Sequence, residues 1–308
     1  MKIFRDYKEF SAPQNTALSI GMFDGVHIGH TAIIQRIVEK AKTENLSSTL
    51  LTFEPHPRLF FNPQDPLKHL TLQDEKIELF RKSGVDNVIF QPFDQNFSQL
   101  SGKEFIQNAV VHHLKAKHIV IGHDHVFGKN KSGNFQLLEN LATEHQYTLE
   151  KAHAMEVEGE IVSSTKIRNA LMNGEIKKAN NLLGYNYFFS GEIVHGKKLG
   201  RTIGYPTANI FFKKNKLLPQ FGAYIVEVYL GDDFYPGMLS IGNNPTFDGQ
   251  KVSAEVHILG FSGNIYGKEL KVVFRDFLHE QIKFPSVDGL IQCLDEDKIK
   301  TEMFFEQQ

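Results

Sequence analysis

Residues Gly21–His30 read G-M-F-D-G-V-H-I-G-H and lie between two segments of opposite character. The apolar run Ala17–Met22 that leads into them is typical of a short buried strand. In Thr31–Lys42, which follows, apolar residues recur at helical spacing. Unpaired amides at a helix N-terminus carry positive partial charge, and glycines let the backbone approach a ligand closely. The stretch therefore predicts a strand–turn–helix unit that binds a phosphate group.

Two histidines of this stretch, His27 and His30, stand three residues apart. Within one helical turn, that spacing points both imidazoles at a single phosphate. A lone histidine beside glycines is more often a loop or capping residue, but two histidines with three glycines favour a functional site. The stretch lacks both G-x-G-x-x-G and G-K-[ST], so it is neither a dinucleotide fingerprint nor a P-loop.

The rest of the first 183 residues alternates strand-like and helix-like segments. Thr71 and Ser101 each stand three residues before an acid, which is the capping-box spacing that begins a helix. Repeated strand–helix–strand units predict a parallel sheet with helices on both faces. The predicted strands are Ser48–Phe53, Asn87–Gln91 and His118–Gly122, and a helix is predicted over Phe135–His145.

The pattern changes after Gly184. β-Branched and aromatic segments are separated there by Gly, Asp, Asn and Pro, which predicts an antiparallel sandwich or barrel. Ser286 is positioned to cap a C-terminal helix. We therefore expect two domains, residues 1–184 and residues 185–308. The predicted strands of the second are Phe188–Val194, Ala223–Leu230, Val252–Leu259 and Leu270–Phe274.

Composition excludes several classes of protein. The 308 residues include 34 Lys and Arg against 36 Asp and Glu, a net charge of −2, which argues against a nucleic-acid or anionic-membrane binder. The only cysteine, Cys293, excludes an internal disulfide and a cysteine-rich zinc site, and we expect it to be a small buried apolar residue. No apolar run approaches the ~18 residues of a membrane span. The expectation is a cytoplasmic protein; the sequence does not specify its oligomeric state.

The histidine-containing stretch resembles a known family. H-x-G-H after a first strand resembles the signature of the nucleotidylyltransferase superfamily, and G-x-F-D-G-x-H-x-G-H resembles the adenylyltransferase part of prokaryotic bifunctional riboflavin kinase/FAD synthetases. Three further segments agree in order and spacing. They are T-F-E-P-H-P at Thr52–Pro57, I-G-H-D-H-V-F-G-K-N-K-S-G at Ile121–Gly133 and S-S-T-K-I-R at Ser163–Arg168.

This resemblance implies a role for each segment. His27 and His30 would stabilise charge on the α-phosphate of ATP and on the leaving pyrophosphate. Where the family often has a basic residue this chain has Val126, and Lys131 replaces a frequent arginine. The residues implied to cradle ATP are Gly21, Phe23, Asp24, Gly25 and Gly29. The residues implied to offer hydroxyls or positive charge to its phosphates are Ser163, Ser164, Thr165, Lys166 and Arg168; the resemblance implies that Ser164 and Arg168 are catalytic together with the two histidines. The residues implied to border the flavin phosphate acceptor are Pro55, His56, Pro57 and Asp124.

A second glycine-containing stretch, G-R-T-I-G-Y-P-T-A-N-I, occupies Gly200–Ile210. Gly200 and Gly204 allow the backbone to fold over phosphates. Thr207 and Asn209 alternate along an extended segment and so face one side, where a hydroxyl and an amide oxygen suit Mg²⁺. A turn leading into a half-exposed strand explains the spacing equally well. Glu255 lies in a largely apolar strand, where an acid is usually on the solvated face and otherwise needs a partner or a function.

These segments resemble riboflavin kinases. The resemblance rests on P-T-A-N, on I-G-N-N-P-T within Gly237–Phe247, on E-V-H from Glu255 and on G-N-I-Y-G from Gly263. It implies that Thr207 and Asn209 hold Mg²⁺ and ATP, and that Glu255 is the general base for the ribityl hydroxyl that attacks the γ-phosphate. His279 stands where the family commonly has an arginine, and it is expected to bind flavin.

Together the two resemblances imply an α/β doubly wound parallel-sheet nucleotidylyltransferase domain followed by an antiparallel β-barrel riboflavin kinase domain with a C-terminal helix. ATP, riboflavin and FMN would be substrates, FAD the product and Mg²⁺ the cofactor. The alternatives are an adenylyltransferase whose degenerate kinase domain only binds flavin, an adenylyltransferase for phosphopantetheine or nicotinate mononucleotide, and a non-catalytic flavin binder. The residues themselves indicate two nucleotide-phosphate sites, whereas the resemblance alone indicates flavin.

Overall fold

The computed structural model describes residues 1–11, 13–122, 125–196, 199–246 and 249–307, with side chains outside 244–251. The chain forms two compact units. The first comprises residues 1–68 and 72–163, and the second comprises residues 69–71 and 164–308. The helices between Ser164 and Leu183 thus belong to the second unit, and the functional boundary at residue 184 stays a prediction.

The first unit is built on a six-stranded sheet. The sheet order is β1-β4-β3-β2-β5-β6, and every pair is parallel. This confirms the doubly wound α/β class. The elements are β1 (Lys2–Phe4), β2 (Thr16–Ile20), α1 (Ile28–Glu44), β3 (Ser47–Glu54), α2 (Pro57–Phe61), α3 (Gln73–Lys82), β4 (Asn87–Pro92), α4 (Gln95–Ser98), α5 (Gly102–Phe105) continued by a π-helix (Ile106–His113), β5 (Ala116–Ile121), α6 (Phe135–His145), β6 (Thr148–Lys151), and the small hairpin β7 (Glu156–Val157) and β8 (Glu160–Ile161), with 3₁₀ turns at Tyr7–Glu9 and Lys129–Lys131.

Successive residues of the central strands pack on opposite faces of this sheet, because side chains alternate along a strand. Leu18 and Leu51 join one apolar cluster with the helix that follows Ser101. Their neighbours Ala17 and Leu50 join a second cluster with α1 and α3. Both faces are therefore covered, which is why these strands are buried along almost their whole length.

Two helix starts differ from the sequence prediction. Helix α1 begins at Ile28 rather than Thr31, because the His27 side chain caps it. Helix α3 is capped at Leu72, whose backbone N–H donates to Glu75 at 2.8 Å, so the prediction of Thr71 with Asp74 was wrong by one residue. The capping box at Ser101 is confirmed: its side chain and that of Glu104 each accept from the other's backbone N–H.

The second unit is a closed antiparallel barrel in the order β10-β13-β12-β11-β14-β9. Of the two predicted architectures, the structure has the barrel and not the sandwich. Ser286 caps the C-terminal helix by accepting from Gly289 N–H at 3.2 Å, as predicted. The one-turn helix α9 was not predicted. The elements are α7 (Ser164–Met172), α8 (Ile176–Leu183), β9 (Phe188–Val194), α9 (Leu199–Thr202), β10 (Ala208–Phe211), β11 (Gly222–Leu230), β12 (Asp233–Thr246), β13 (Gly249–Ile258), β14 (Glu269–Glu280) and α10 (Val287–Glu306).

Within the described part of the chain, no helix combines the length and the apolar character that crossing a bilayer requires.

Candidate active sites

Three of the sequence motifs follow the carboxyl ends of neighbouring strands in the first unit. Gly21–His30 follows β2, Thr52–Pro57 ends β3, and Ile121–Gly133 follows β5. Strand β2 is hydrogen-bonded to both β3 and β5 in parallel register. The strand order therefore reverses at β2, and open α/β sheets bind ligands at such a switch point.

His27 and His30 form a stacked pair at the start of α1. Their ring centroids are 3.7 Å apart with an interplanar angle of 17°. The His27 Nδ1 accepts a hydrogen bond from the His30 backbone N–H at 3.4 Å, which leaves the proton of a neutral His27 ring on Nε2. Among the described residues, the buried Nδ1 of His30 has no hydrogen-bond partner. The two imidazoles are therefore adjacent, and their convergence on one phosphate stays a prediction.

Both histidines are neutral at neutral pH. Burial lowers the pKa of His27 to about 4, and the Asp24 carboxylate only partly opposes this shift. Burial also lowers the pKa of His30 well below its ordinary value, with further lowering by His27 and by Lys76. The rings therefore act as hydrogen-bond donors. Fixed positive charge comes from the helix terminus and from Lys76.

Lys76, on α3, is a member of this site that the sequence analysis missed. It is only 2% exposed, and its Nζ donates to the Met22 carbonyl at 3.0 Å. Burial lowers its pKa, while Asp24 and Glu54 oppose that shift. The only sequence signal is its i,i+4 spacing to the fully buried Phe80, which puts the lysine on the core side of an amphipathic helix.

The Met22 carbonyl is held by a second donor, the Thr52 hydroxyl of β3, at 3.2 Å. Beside it, Gly21 N–H donates to the Leu51 carbonyl at 3.0 Å. The end of β3 thus fixes the entrance of the glycine-containing turn. This positions the turn relative to Thr52–Pro57 before any ligand binds.

The turn itself has an unusual backbone. Phe23 and Val26 have φ angles of 48° and 38°, and positive φ is costly for a β-branched residue. Val26 N–H donates to the Phe23 carbonyl at 3.1 Å, and the Phe23 ring packs on Phe80 with centroids 5.8 Å apart. Asp24 is buried at 3% exposure between them. Strain that packing maintains is typical of ligand-binding turns.

An aromatic cavity of about 490 Å³ lies beside the end of β3. Pro57 lines it, whereas Pro55 and His56 do not; His56 caps α2 by accepting from Arg58 N–H at 3.1 Å. Asp124 lies outside the described residues. Six phenylalanines supply most of the wall: Phe53, Phe61, Phe93, Phe97, Phe105 and Phe127.

The rings of this cavity support one another in a chain of edge contacts. Phe93 and Phe97 have centroids 5.7 Å apart, and Phe105 and Phe127 have centroids 5.4 Å apart. Val126, Lys129 and Lys131 also line the cavity. A planar apolar ring with a charged substituent fits such a wall, because aromatic faces take the ring and cations take the charge.

The motif S-S-T-K-I-R, at Ser163–Arg168, includes the residues at which the first unit ends and the second begins. Ser163 ends the first unit, and Ser164 begins α7 of the second. Ser164 and Arg168 are half-buried one helical turn apart, while Thr165 is exposed. Their expected role toward the ATP phosphates, like that of Lys166, stays a prediction.

The barrel brings the predicted oxygen ligands together. Asn209 of β10 lies directly opposite Glu255 of β13. The Thr207 hydroxyl donates to the Glu255 carboxylate at 3.2 Å. Ala254 and Val256 are buried in the barrel, so Glu255 is on the outer face and half-buried. Glu255 is thus on the solvated face of its strand, and its carboxylate also has polar partners there.

The donor set at this place fits a small hard cation such as Mg²⁺. It consists of a hydroxyl, a side-chain amide and a carboxylate, all oxygen donors, on two adjacent strands. A cavity of about 370 Å³ adjoins it and is lined by Thr207, Arg201 and Tyr266 among others. The P-T-A-N and G-N-I-Y-G motifs, with 53 residues between them in sequence, thus share one cavity.

Gly200 and Gly204 shape the loop that leads to this cavity. Tyr205 N–H donates to the Gly200 carbonyl at 2.8 Å, and a Cβ on Gly200 would lie 2.1 Å from the Tyr205 carbonyl oxygen. Gly204 has a φ of 84°. The tight fold therefore requires glycine at both positions.

His279, expected to bind flavin, is held against the C-terminal helix. Its Nε2 lies 2.8 Å from an Asp297 carboxylate oxygen and its Nδ1 lies 2.8 Å from the Glu280 carbonyl oxygen. Cys293 is half-buried, with Sγ 3.4 Å from the same Nε2. The expectation that Cys293 is simply a buried apolar residue was therefore wrong.

Comparison with known proteins gives two family matches. The FAD synthetase family model matches residues 9–166, and the riboflavin kinase family model matches residues 183–305. Proteins named bifunctional riboflavin kinase/FMN adenylyltransferase are similar over nearly the whole chain. The protein of Listeria monocytogenes is 39% identical, covering 94% of this chain and 93% of its own length, and that of Haemophilus influenzae is 38% identical, covering 95% of each.

A solved structure from Streptococcus pneumoniae, described as a macrolide-efflux protein, superposes with a TM-score of 0.89 at 32% identity. It covers 97% of this chain and 98% of its own. The description as a macrolide-efflux protein applies to the Streptococcus pneumoniae protein. The similarity extends the fold match across both units.

Proposed function

This chain belongs to the family of bifunctional riboflavin kinase/FMN adenylyltransferases, and on that premise we propose how its residues divide the two reactions. It phosphorylates riboflavin to FMN with ATP, and it transfers the adenylyl group of ATP to FMN, giving FAD and pyrophosphate. We assign adenylylation to residues 1–184 and phosphorylation to residues 185–308. Because both reactions consume ATP, we also propose a cytoplasmic location.

In adenylyl transfer, a phosphate oxygen of FMN attacks the α-phosphorus of ATP, and the bond to the bridging oxygen of pyrophosphate breaks. No protein nucleophile is needed, so catalysis consists of orientation and charge stabilisation. The N–H groups of His27 and His30 donate to the phosphate oxygens on which charge develops. The buried position of His27 and the half-buried position of His30 at the start of α1 support this assignment, since water competes weakly there.

Lys76 adds a buried positive charge and holds the Met22 carbonyl, so it keeps the turn in its binding conformation. The flavin ring system of FMN occupies the aromatic cavity, with the ring among the phenylalanines and Pro57 at its wall. Lys129 and Lys131 at the same cavity supply charge for the phosphate end. This arrangement supports a flavin rather than phosphopantetheine, whose linear chain has no aromatic ring to stack.

In the kinase reaction, Glu255 takes the proton of the ribityl hydroxyl as that oxygen attacks the γ-phosphorus. Thr207 and Asn209 would hold Mg²⁺, which would neutralise phosphate charge. The nucleotide occupies the cavity lined by Arg201 and Tyr266. The hydrogen bond from Thr207 to Glu255 supports a shared site for base and metal. The alternative of a degenerate kinase domain is not favoured by any observation.

The observation that carries the proposal is the presence of two separate polar sites, the histidine pair on the sheet and the oxygen cluster on the barrel. The test is to incubate the full chain with riboflavin, ATP and Mg²⁺ and to separate the products by chromatography. FMN followed by FAD is expected. FAD formed only from added FMN would identify a degenerate kinase, and unchanged riboflavin and FMN would identify a binding protein.

A further inference from the structure

Three metal-ligating side chains meet where β14 packs against α10. His279 is on the strand, and Cys293 and Asp297 are four residues apart on the helix. One donor atom from each lies within 4.8 Å of the other two. Asp297 is only 3% exposed, and its second oxygen, Oδ1, is buried without a hydrogen-bond partner among the described residues. The Lys300 ammonium is 3.8 Å from that oxygen, which is too far for a hydrogen bond.

The orientation of the His279 ring directs one of its nitrogens into this cluster. Its Nδ1 faces the Glu280 carbonyl oxygen at 2.8 Å, and a carbonyl oxygen only accepts, so Nδ1 carries the ring proton. The other ring nitrogen, Nε2, faces the Asp297 carboxylate and the Cys293 sulfur. A nitrogen, an oxygen and a sulfur that can each ligate a metal therefore converge at one place. A ring N–H bonded to a backbone carbonyl is also how metal-ligating histidines are commonly oriented.

We propose that His279, Cys293 and Asp297 bind one divalent transition-metal ion of borderline softness, of which Zn²⁺ is the representative. Imidazole nitrogen, thiolate sulfur and carboxylate oxygen are the donors that Zn²⁺ takes in proteins. On binding, the Cys293 thiol releases its proton to solvent, and the thiolate and the carboxylate balance the two charges of the ion. The His279 side chain is 26% exposed, which leaves a path for the ion and for a water ligand.

The distances are compatible with this ion. Tetrahedral ligands at ordinary zinc bond lengths stand about 3.4–3.6 Å apart. The 3.4 Å separation of Nε2 and Sγ matches that range. The 2.8 Å separation of Nε2 and the Asp297 oxygen must open by roughly half an ångström when the ion enters. Because the ligands come from a strand and a helix, the ion would tie α10 to the barrel.

Cobalt(II) provides a direct test, because Cys293 is the only cysteine and a thiolate-to-cobalt charge-transfer band can arise only there. The full chain, stripped with a chelator, is titrated with Co²⁺. We expect the charge-transfer band and tetrahedral d–d bands to saturate at one ion per chain and to disappear when Zn²⁺ is added. C293S is expected to lose the band, and D297N to weaken cobalt binding at least about tenfold.

Controls separate metal binding from folding. C293S is expected to keep the wild-type circular dichroism spectrum and the wild-type rate of riboflavin phosphorylation in Mg²⁺. Zn²⁺ is expected to raise the thermal unfolding temperature of the wild type but not that of C293S. Absence of a charge-transfer band, or an unchanged band in C293S, would overturn the proposal. A protonated His279 paired with Asp297 would give the first of these results.

Discussion

The imidazole ring of His27 stacks on that of His30, with centroids 3.7 Å apart. Two protonated rings at this distance would repel each other in a buried site, so their neutral forms are the ones compatible with the stack. Each neutral ring keeps one N–H group, so the pair can donate hydrogen bonds to an anion. In the proposed mechanism, the N–H groups of the pair, the α1 terminus and Lys76 meet the charge of the incoming phosphate.

The first prediction concerns His30. Replacing His30 by Ala removes one donor to the transition state, so FAD formation from FMN and ATP should fall by roughly 10²–10³. The rate is measured on purified protein with FMN supplied. H112A, a change at an exposed histidine of the same unit, should have the wild-type rate. Near-normal turnover of H30A would remove His30 from the active site.

A second prediction concerns Lys76. The change K76M keeps an unbranched side chain of similar length but removes the ammonium beside Met22. FMN adenylylation should fall about 10- to 100-fold, the scale of a lost hydrogen bond from a charged donor. Urea unfolding should show no loss of stability, because a buried charge is replaced by an apolar group.

The matched control for this lysine is K82M, at a position of the same helix whose side chain is 67% exposed. K82M should retain wild-type adenylylation. If K76M also retained it, Lys76 would be a structural residue only.

Glu255 separates the two activities. E255Q preserves shape but cannot take the proton of the attacking hydroxyl, so riboflavin phosphorylation should fall by about 10²–10⁴, while FMN adenylylation stays at the wild-type rate. Both are measured by chromatography of products from riboflavin and from FMN. E269Q, at the exposed first residue of β14, is the control. Equal loss of both activities in E255Q would refute the assignment of two sites.

The aromatic cavity predicts a selective effect on FMN. Phe61 lines the cavity yet is 68% exposed, so F61A should not unfold the protein. Loss of its ring contact should raise the KM for FMN in adenylylation by about three- to tenfold. F211A removes a ring of similar exposure, 60%, from β10 and should leave this KM unchanged. An unchanged KM in F61A would place the flavin ring elsewhere.

The fifth prediction concerns pH and stability. The pKa of His27 is lowered to about 4 in the folded protein from about 6.5 in the unfolded chain. Between these values the unfolded state binds more protons. The free energy of unfolding should therefore decrease by roughly 3 kcal/mol as the pH falls from 6.5 to 4. Urea unfolding across this range should show a smaller decrease in H27N.

V38A is the control for the pH experiment. Val38 is buried on the same helix, so V38A is destabilised by a lost side chain at every pH. Its pH dependence should match that of the wild type. A full wild-type pH dependence in H27N would show that His27 is not the titrating group.

Local sequence patterns predicted most of the helices and strands. Phe135–His145 and Phe188–Val194 were predicted with the bounds that the structure has, because the first has apolar residues at helical spacing and the second is rich in aromatic and β-branched residues. The start of α1 was predicted late, because Gly29 and His30 are poor helix formers. The side-chain cap at His27 outweighs that preference.

The doubly wound α/β class, the family and most candidate site residues could be predicted from the chain alone, since motif identity and hydrophobic periodicity are local properties. Residue patterns left the barrel and the sandwich open, and the folded chain was needed to show that Lys76 reaches the Met22 carbonyl, that six phenylalanines enclose one cavity and that His279 meets Cys293 and Asp297. Those groups come from separate elements, and their approach depends on how strands and helices pack, which spacing along the chain does not encode.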